Sequence, residues 1–289
     1  MYPQNAIGDC FDILNSENVD YAVVPFENST NGPVVFTYDL IRDWYTPSLN
    51  KSSKDLAKFK IVGEQFVSIH HNLLSNATSI ANVNTLYSHP QVWTQVKRFM
   101  KSLPKEINIV DTSSTSKAAE LVFNDKTNTC ACISSKMSSD LYNLPIMQAN
   151  IEDNPKNSTR FLILGYEPLT KPNENDITSI LFTLNHDNPG ALCDALNSFK
   201  KNQVNLNCIS SRPSHIQQWQ YVFFIEMDGN IGNKNVEKSI QEMKDHILDL
   251  VVWGHLKEVN DIHDHENKNG CLTIYFNKHL SIINKQMLK

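Results

Sequence analysis

Three short stretches of this chain gather side chains that can act together on a substrate. In Val23-Val24-Pro25-Phe26-Glu27-Asn28-Ser29-Thr30-Asn31-Gly32, an apolar run delivers a carboxylate, an amide and a hydroxyl to a turn, and Gly32 lets the backbone fold back. Polar groups at the carboxyl end of a strand lie where open α/β sheets bind ligands. The same stretch also fits a bare polar turn, with Ser29 or Asn31 capping the helix that follows. In Ser88-His89-Pro90-Gln91, Pro90 suits the first position of a helix, so backbone N–H groups face whatever lies in front, and Gln95 follows within a turn. The run from Asp111 to Ala119 repeats this, with Ser113, Ser114 and Thr115 offering hydroxyls at another helix start. Each is equally the form of a plain N-cap. In Ser158-Thr159-Arg160-Phe161, a hydroxyl can donate a hydrogen bond, a guanidinium can clamp a carboxylate and a ring can wall off an apolar group. A triplet of that kind at a strand start is commonly structural.

These stretches need a frame. From residue 1 to about 165, apolar runs at 21–26, 60–70, 85–88, 107–110, 130–133 and 160–164 read as strands. Helical patterns lie between them: 33–44, with Val35, Leu40 and Ile41 on one side; 90–101; and one opening near Ser114, with Ala118, Ala119, Leu121 and Val122 on its apolar side. Strands alternating with helices predict an α/β domain with mainly parallel pairing. Residues 46–58 read as a solvated loop, and 166–176, with two prolines among charged residues, as a linker. The pattern then restarts: strand 177–184, helix 189–201 with Leu192, Leu196 and Phe199 on one stripe, strands 204–210 and 219–227, helix 236–248, strand 250–256. That order, βαββαβ, is the ferredoxin-like split unit. Residues 259–289 form an atypical polar tail with one apolar patch, 271–276.

Composition narrows the classes. The 289 residues carry a formal net charge of −5, and only four of the 26 basic residues are arginines, which argues against a nucleic-acid footprint. No run approaches the roughly 18 apolar residues of a transmembrane helix, and the opening MYPQNAIGDC has no signal-peptide form, so a cytoplasmic protein is expected. Six scattered cysteines without a CxxC pair read as free thiols, Cys130 and Cys132 sharing one strand face. His263-Asp264-His265 reads as solvated tail rather than a metal site, and Trp93, Trp219 and Trp253 read as packing residues.

Taken in order, Glu27-Asn28-Ser29 with Gly32, Ser88-His89-Pro90-Gln91, Ser113-Ser114-Thr115 with Ala118-Ala119, and Asn157 with Thr159-Arg160-Phe161, followed by a βαββαβ unit, resemble prephenate dehydratase of the fungal type. In the second unit, Asp187-Asn188-Pro189-Gly190-Ala191-Leu192 resembles the ligand loop of an ACT domain, and Ser210-Ser211-Arg212-Pro213 stands where the family has Glu-Ser-Arg-Pro. The resemblance implies a bilobal catalytic domain like the type II periplasmic binding proteins over 1–165, a linker over 166–176 and an ACT regulatory domain over 177–258. The activity implied is a carbon–oxygen lyase of phenylalanine biosynthesis, converting prephenate to phenylpyruvate with no metal or organic cofactor. Its partners would be prephenate, L-phenylalanine as effector and further copies of the chain in a dimer or tetramer, with no nucleic acid and no membrane.

The resemblance also distributes roles. Thr159 would donate to the departing hydroxyl and Phe161 would shape the site for the ring. Arg160 would either reach a substrate carboxylate or face away, since neighbouring strand residues alternate. Asn28, Ser29, Ser88, Gln95, Ser114 and Thr115 would be polar substrate binders, with Glu27 orienting its turn. Asn188, Gly190, Ala191, Leu192, Ser211 and Arg212 would hold phenylalanine, and Ser210 in place of the family glutamate leaves the strength of the feedback open. The family's opening strand and Gly-Pro-x-Gly-Thr-x-Ser turn do not precede residue 1, so the chain is expected to begin at an internal methionine of a longer gene. Two alternatives stay open: a non-catalytic phenylalanine-binding sensor, and arogenate dehydratase, which differs in the recognition of one amino group.

Overall fold

The computed structural model describes residues 2, 4, 6–46, 57–104, 106–166, 176–185 and 188–257. Most of the 46–58 loop and of the 166–176 linker, Asp187, and the tail with His263-Asp264-His265 and the 271–276 patch lie outside the described residues. The described chain forms two compact units, one of residues 67–159 and one of residues 4–66 with 160–257.

The chain opens with α1 (Ile7–Asn15), which buries Phe11 and Leu14 one turn apart and whose first turn is closed by Asp9 accepting from the Ala6 N–H at 3.0 Å. Next, β1 (Tyr21–Asn28) alternates in burial and folds back through Gly32, at φ +78°, into the two-residue β2 (Gly32–Pro33). Then come α2 (Val35–Tyr45) and β3 (Lys60–Ser68). The unit of residues 67–159 contributes β4 (Asn72–Ser75), β5 (Thr85–Ser88), α3 (Pro90–Trp93), α4 (Lys97–Ser102), β6 (Asn108–Asp111), α5 (Thr115–Asn124), β7 (Cys130–Ser134), α6 (Lys136–Tyr142) and β8 (Ile146–Gln148). The chain returns through β9 (Ser158–Gly165) and ends in β10 (Asp176–Thr183), α7 (Ala191–Lys201), β11 (Leu206–Pro213), β12 (Tyr221–Asp228), α8 (Lys234–Met243) and β13 (Asp249–Lys257).

One eight-stranded sheet runs β11-β12-β10-β13-β3-β9-β1-β2. Its first four strands, with α7 and α8, realise the expected βαββαβ order with antiparallel pairing. These strands alternate between two cores. Ile180, Phe182, Ile225 and Met227 pack on the helices with Phe199, Ile240 and Met243, while Leu181, Val222 and Phe224 face a second core shared with Phe11, Phe26, Tyr38, Phe59 and Trp253. On β10 and β12 both faces are covered, which is why these two strands read as continuous apolar runs. Gly254 pairs with Ile61 where β13 meets β3, and a Cβ there would lie 2.5 Å from that of Ile61, so glycine permits the junction. Glu226 on β12 touches Arg160 on β9 at 2.6 Å, although four strand-to-strand steps of about 4.8 Å would separate their strands by roughly 19 Å in a flat sheet. The sheet is therefore strongly curled around its aromatic core.

The other unit is a five-stranded sheet, β6-β5-β7-β4-β8. Its two faces carry separate clusters, Leu86, Ala131 and Ile133 with Val96 and Phe99 on one, and Cys132 and Leu74 with Ala118, Ala119 and Val122 on the other.

Several expectations are corrected. Pairing is mixed rather than mainly parallel: β5 is parallel to β6 and β7, but β4 is antiparallel to β7 and β8, and β1 to β2. The helix expected over 33–44 starts at Val35, which is exposed; Ile41 is buried as expected, with Thr37, Tyr38 and Arg42 beside it. Neither Ser29 nor Asn31 caps it, since its N-cap is Val34. The helix expected over 90–101 is broken at 94–96 into α3 and α4, and Leu121 of α5 lies on the exposed side. The strand expected over 60–70 ends at Ser68 and β4 is separate. The strand expected from Trp219 starts at Tyr221, and Trp219 is no packing residue: it stands at φ +65° and is 70% exposed. Trp253 is core, and Trp93 is half-buried with its indole N–H donating to Asp111 at 2.7 Å. The five described cysteines are free thiols.

Candidate active site

In the five-stranded unit, the carboxyl ends of three parallel strands come together. Register pairs Ser88 of β5 with Asp111 of β6 and Tyr87 with Cys132 of β7, so the segments leaving β5, β6 and β7 start at one edge. This is the edge at which ligands bind in α/β sheets. Ser88 is fully buried, and its hydroxyl donates to the Ile133 carbonyl at 2.8 Å. Ser114 is the N-cap of α5, its Oγ accepting from the Lys117 N–H at 3.0 Å, and the Thr115 carbonyl accepts from the Ser134 hydroxyl at 3.0 Å. His89 caps α3, Nδ1 accepting from the Gln91 N–H at 3.2 Å.

Gln95 sits at the break between α3 and α4, where a second set of bonds reaches the 150–158 segment. The Gln95 carbonyl accepts from the Asp153 N–H at 2.7 Å, and the Asp153 carboxylate caps α4 by accepting from the N–H groups of Lys97 and Arg98. The Gln95 Oε1 lies 2.7 Å from His71 Nε2 and 3.3 Å from Asn157 Nδ2. An amide oxygen only accepts, so the His71 tautomer carries its proton on Nε2. Glu152 accepts from the His71 N–H at 3.0 Å and lies 2.7 Å from His70 Nδ1. Burial alone would raise its pKa, but the hydrogen bonds from His70 and His71 outweigh that and hold it below the ordinary value. Gln95 is thus tied to Asn157, two residues before Thr159.

In the eight-stranded unit, the Glu27-Asn28-Ser29 turn is built on Asn28, whose Oδ1 accepts from the N–H groups of Thr30 and Asn31, each at 3.0 Å. Ser29 is exposed at the tip. Along β9, Ser158 and Arg160 are buried while Thr159 and Phe161 are half-buried, so the strand sends Thr159 and Phe161 to one face and Arg160 to the other. The guanidinium of Arg160 donates through both terminal nitrogens to Glu226, at 2.6 and 2.9 Å, and through Nε to Glu64 at 2.7 Å. It also lies 5.3 Å from the centre of the Phe26 ring. Burial opposes its charge, but Glu226 and then Glu64 prevail and raise its pKa.

Of the residues expected to hold an effector, Asn188, Gly190, Ala191 and Leu192 surround the start of α7, with Gly190 at φ +87°. Ser211 is exposed on the edge strand β11. Arg212 and Thr183 both pair with Val222, so Arg212 lies at the edge from which the 184–190 loop departs. The Arg212 guanidinium donates bidentately to Asp39 of α2, at 2.7 and 3.0 Å. Arg42 donates to the same carboxylate at 2.9 Å and to the Pro213 carbonyl at 3.0 Å. Burial works against the Asp39 charge, yet the Arg212 hydrogen bond and the charges of Arg42 and Arg212 hold its pKa below the usual carboxylate value.

A sequence model of prephenate dehydratase matches residues 1–169, more than half of the chain. The chain belongs to the prephenate dehydratase family. It is 34% identical to a probable prephenate dehydratase of Saccharomyces cerevisiae, over 87% of this chain and 86% of that protein. It is 35% identical to a bifunctional chorismate mutase/prephenate dehydratase of Aquifex aeolicus, over 87% of this chain but 65% of that protein's length. Among solved structures, the prephenate dehydratase of Arthrobacter aurescens in complex with L-Phe superposes with a TM-score of 0.76 at 24% identity, covering 89% of this chain and 81% of that one, a likeness of fold.

Several residues that hold the expected site residues of this prephenate dehydratase family member were not among those singled out from sequence. His71, itself bonded to Glu152, supports Gln95, while Glu64 and Glu226 hold Arg160, and Asp39 holds Arg212. One signal was available. Glu226 is the lone charge in Tyr221–Met227, an otherwise apolar run, and a carboxylate on such a strand needs a buried cation. Among the described residues, no group of three or more His, Cys, Asp or Glu is placed to hold a metal ion.

Proposed function

We propose that this chain catalyses the decarboxylating dehydration of prephenate to phenylpyruvate and is regulated by L-phenylalanine. In that reaction the ring carboxylate leaves as carbon dioxide. Its bonding pair flows through the diene and expels the ring hydroxyl, which takes up a proton and leaves as water. Aromatisation drives the step, so the protein has to hold two carboxylates and stabilise the departing oxygen. Thr159 donates to that oxygen, and Phe161, on the same face of β9, packs against the ring. Asn28, Ser29, Ser88, Gln95, Ser114 and Thr115 bind the polar groups of the substrate, and Glu27 orients the turn that carries Asn28. Arg160, engaged by two carboxylates, acts on the geometry of β9.

The reading divides the chain into a bilobal catalytic domain over 1–165, a linker over 166–176 and an ACT domain over 177–258. The L-Phe complex of the Arthrobacter protein supports L-phenylalanine as effector, which on this reading is held by Asn188, Gly190, Ala191, Leu192, Ser211 and Arg212. Copies of the chain assemble as dimers or tetramers in the cytoplasm. Among the described residues, no helix is long and apolar enough to cross a membrane.

The observation that carries the reading is family membership together with the alternation on β9 that sends Thr159 and Phe161 to one face. The test is conversion of prephenate to phenylpyruvate by the 289-residue chain, with and without phenylalanine, and with arogenate run in parallel. Turnover of prephenate suppressed by phenylalanine is expected. Phenylalanine binding without turnover of either substrate overturns the enzymatic reading, and faster turnover of arogenate overturns the substrate.

A further inference from the structure

Glu226 belongs to the βαββαβ unit, yet its carboxylate is spent on the strand that carries the proposed catalytic hydroxyl. We infer that Glu226 is a positioning residue for the dehydration, holding Arg160 and through it fixing the stretch of β9 that presents Thr159 and Phe161. The inference rests on the reading of Thr159 as the hydrogen-bond donor to the departing hydroxyl.

The geometry leaves Arg160 little freedom. Two parallel donors go to Glu226 and the third nitrogen goes to Glu64, while the Phe26 ring lies 5.3 Å from the guanidinium carbon. A bidentate carboxylate fixes the plane of a guanidinium as well as its position. Glu226 is itself held on β12, flanked by β10 and β11, and its Oε1 accepts from the Ser179 hydroxyl at 3.3 Å. Because β9 alternates, Thr159 and Phe161 flank Arg160 and take the opposite face. Any turn of Arg160 about the strand axis is therefore shared by both neighbours.

Stability alone does not explain the arrangement. Two carboxylates, on Glu64 and Glu226, share one buried guanidinium. Apolar residues of the same volume commonly serve a core as well or better. What the charges add is a single orientation, at a place where misplacing a reacting group by 1 Å can cost about 10²-fold in rate. Glu226 pairs with Cys208 of β11, four residues from Arg212, so the effector strand and the catalytic strand meet on the same carboxylate-bearing strand.

The experiment compares the 289-residue chain with Glu226→Gln, Arg160→Lys and their double variant, by steady-state kinetics on prephenate and by amide hydrogen exchange. Glu226→Gln keeps the volume and removes the charge. Its expected effect is a fall in kcat of about 10- to 10²-fold with KM nearly unchanged, and the double variant is no worse than the poorer single one, as for residues acting as a unit. Exchange in 158–162 rises while that of 85–88 stays constant. A wild-type kcat for Glu226→Gln, effects that multiply in the double variant, or unchanged exchange in 158–162 overturns the inference. An inactive wild-type chain instead counts against the proposed reaction, and the exchange measurement still decides the positioning. If Glu226→Gln does not fold, Glu226→Asp, which keeps the charge and withdraws it by one methylene, is read by the same criteria.

Discussion

The two compact units hold their polar groups in different ways. Around Gln95, residues 67–159 use single hydrogen bonds to amide and backbone groups: His71 and Asn157 to one amide oxygen, Ser88 and Ser134 to backbone carbonyls, and the Glu152 and Asp153 carboxylates to backbone N–H groups. The curled eight-stranded unit uses charge, with Arg160 on Glu226 and Glu64, and Arg212 and Arg42 on Asp39. The neutral ones contribute about 0.5–1.5 kcal/mol each, and losing one leaves the rest in place. A buried ion cluster works only when complete, because each charge is tolerable only through its partner. The difference teaches that polar groups are separable around Gln95 and interdependent around Arg160.

The largest effect should come from breaking the interdependence. Arg160→Met takes the shared cation from Glu226 and Glu64 and is expected to cost about 3–5 kcal/mol in urea unfolding. Adding Glu226→Leu and Glu64→Leu should recover most of that loss. A cost below about 1 kcal/mol for Arg160→Met would mean that the cluster is as forgiving as a surface pair, and the contrast would collapse.

Thr159→Ala, on the other face of the same strand, should separate chemistry from stability. On the proposed role of Thr159, loss of its donor is expected to lower kcat by about 10²–10³-fold with a far smaller change in the urea midpoint than for Arg160→Met. A midpoint shifted as far as that of Arg160→Met would place Thr159 among the structural groups.

His71→Phe sharpens the comparison from the neutral side. Removing the donor to Gln95 should cost about 1–3 kcal/mol, less than the Arg160 change, because Asn157 still donates. A larger loss than for Arg160→Met would reverse the ranking of the two units.

The smallest effect concerns acid. Asp125, in the turn before β7, accepts from the Thr127 hydroxyl and from the N–H groups of Thr127, Thr129 and Cys130. The Thr127 hydroxyl leads in lowering its pKa from 3.8 to about 2. A depressed carboxylate stabilises the fold fully above its unfolded value. Its contribution should therefore fade as the pH drops through 3.8 toward about 2, and Asp125→Asn should flatten that part of the melting curve. An unchanged pH profile in the variant would remove Asp125 from the account.

What the sequence determined by itself was local. The βαββαβ order followed from apolar periods and breaks, the helix start at Ser114 from its cap, and the opposite faces of Thr159 and Arg160 from strand alternation, all set by residues within a few positions of one another. Side-chain sidedness on helices was less legible, because a window of apolar residues does not say which neighbour will cover it. Val35 and Leu121 fit an apolar stripe and are exposed, while Thr37 and Arg42 are buried. Only the tertiary structure decided the partners of charge. Arg160 and Glu226 stand 66 residues apart, and Arg212 and Asp39 173 apart, and no local pattern links them. Arg160 and Glu226 meet because the strand order and the curl of the sheet return β12 to β9, and once both are buried the attraction between them offsets the cost of taking each out of water.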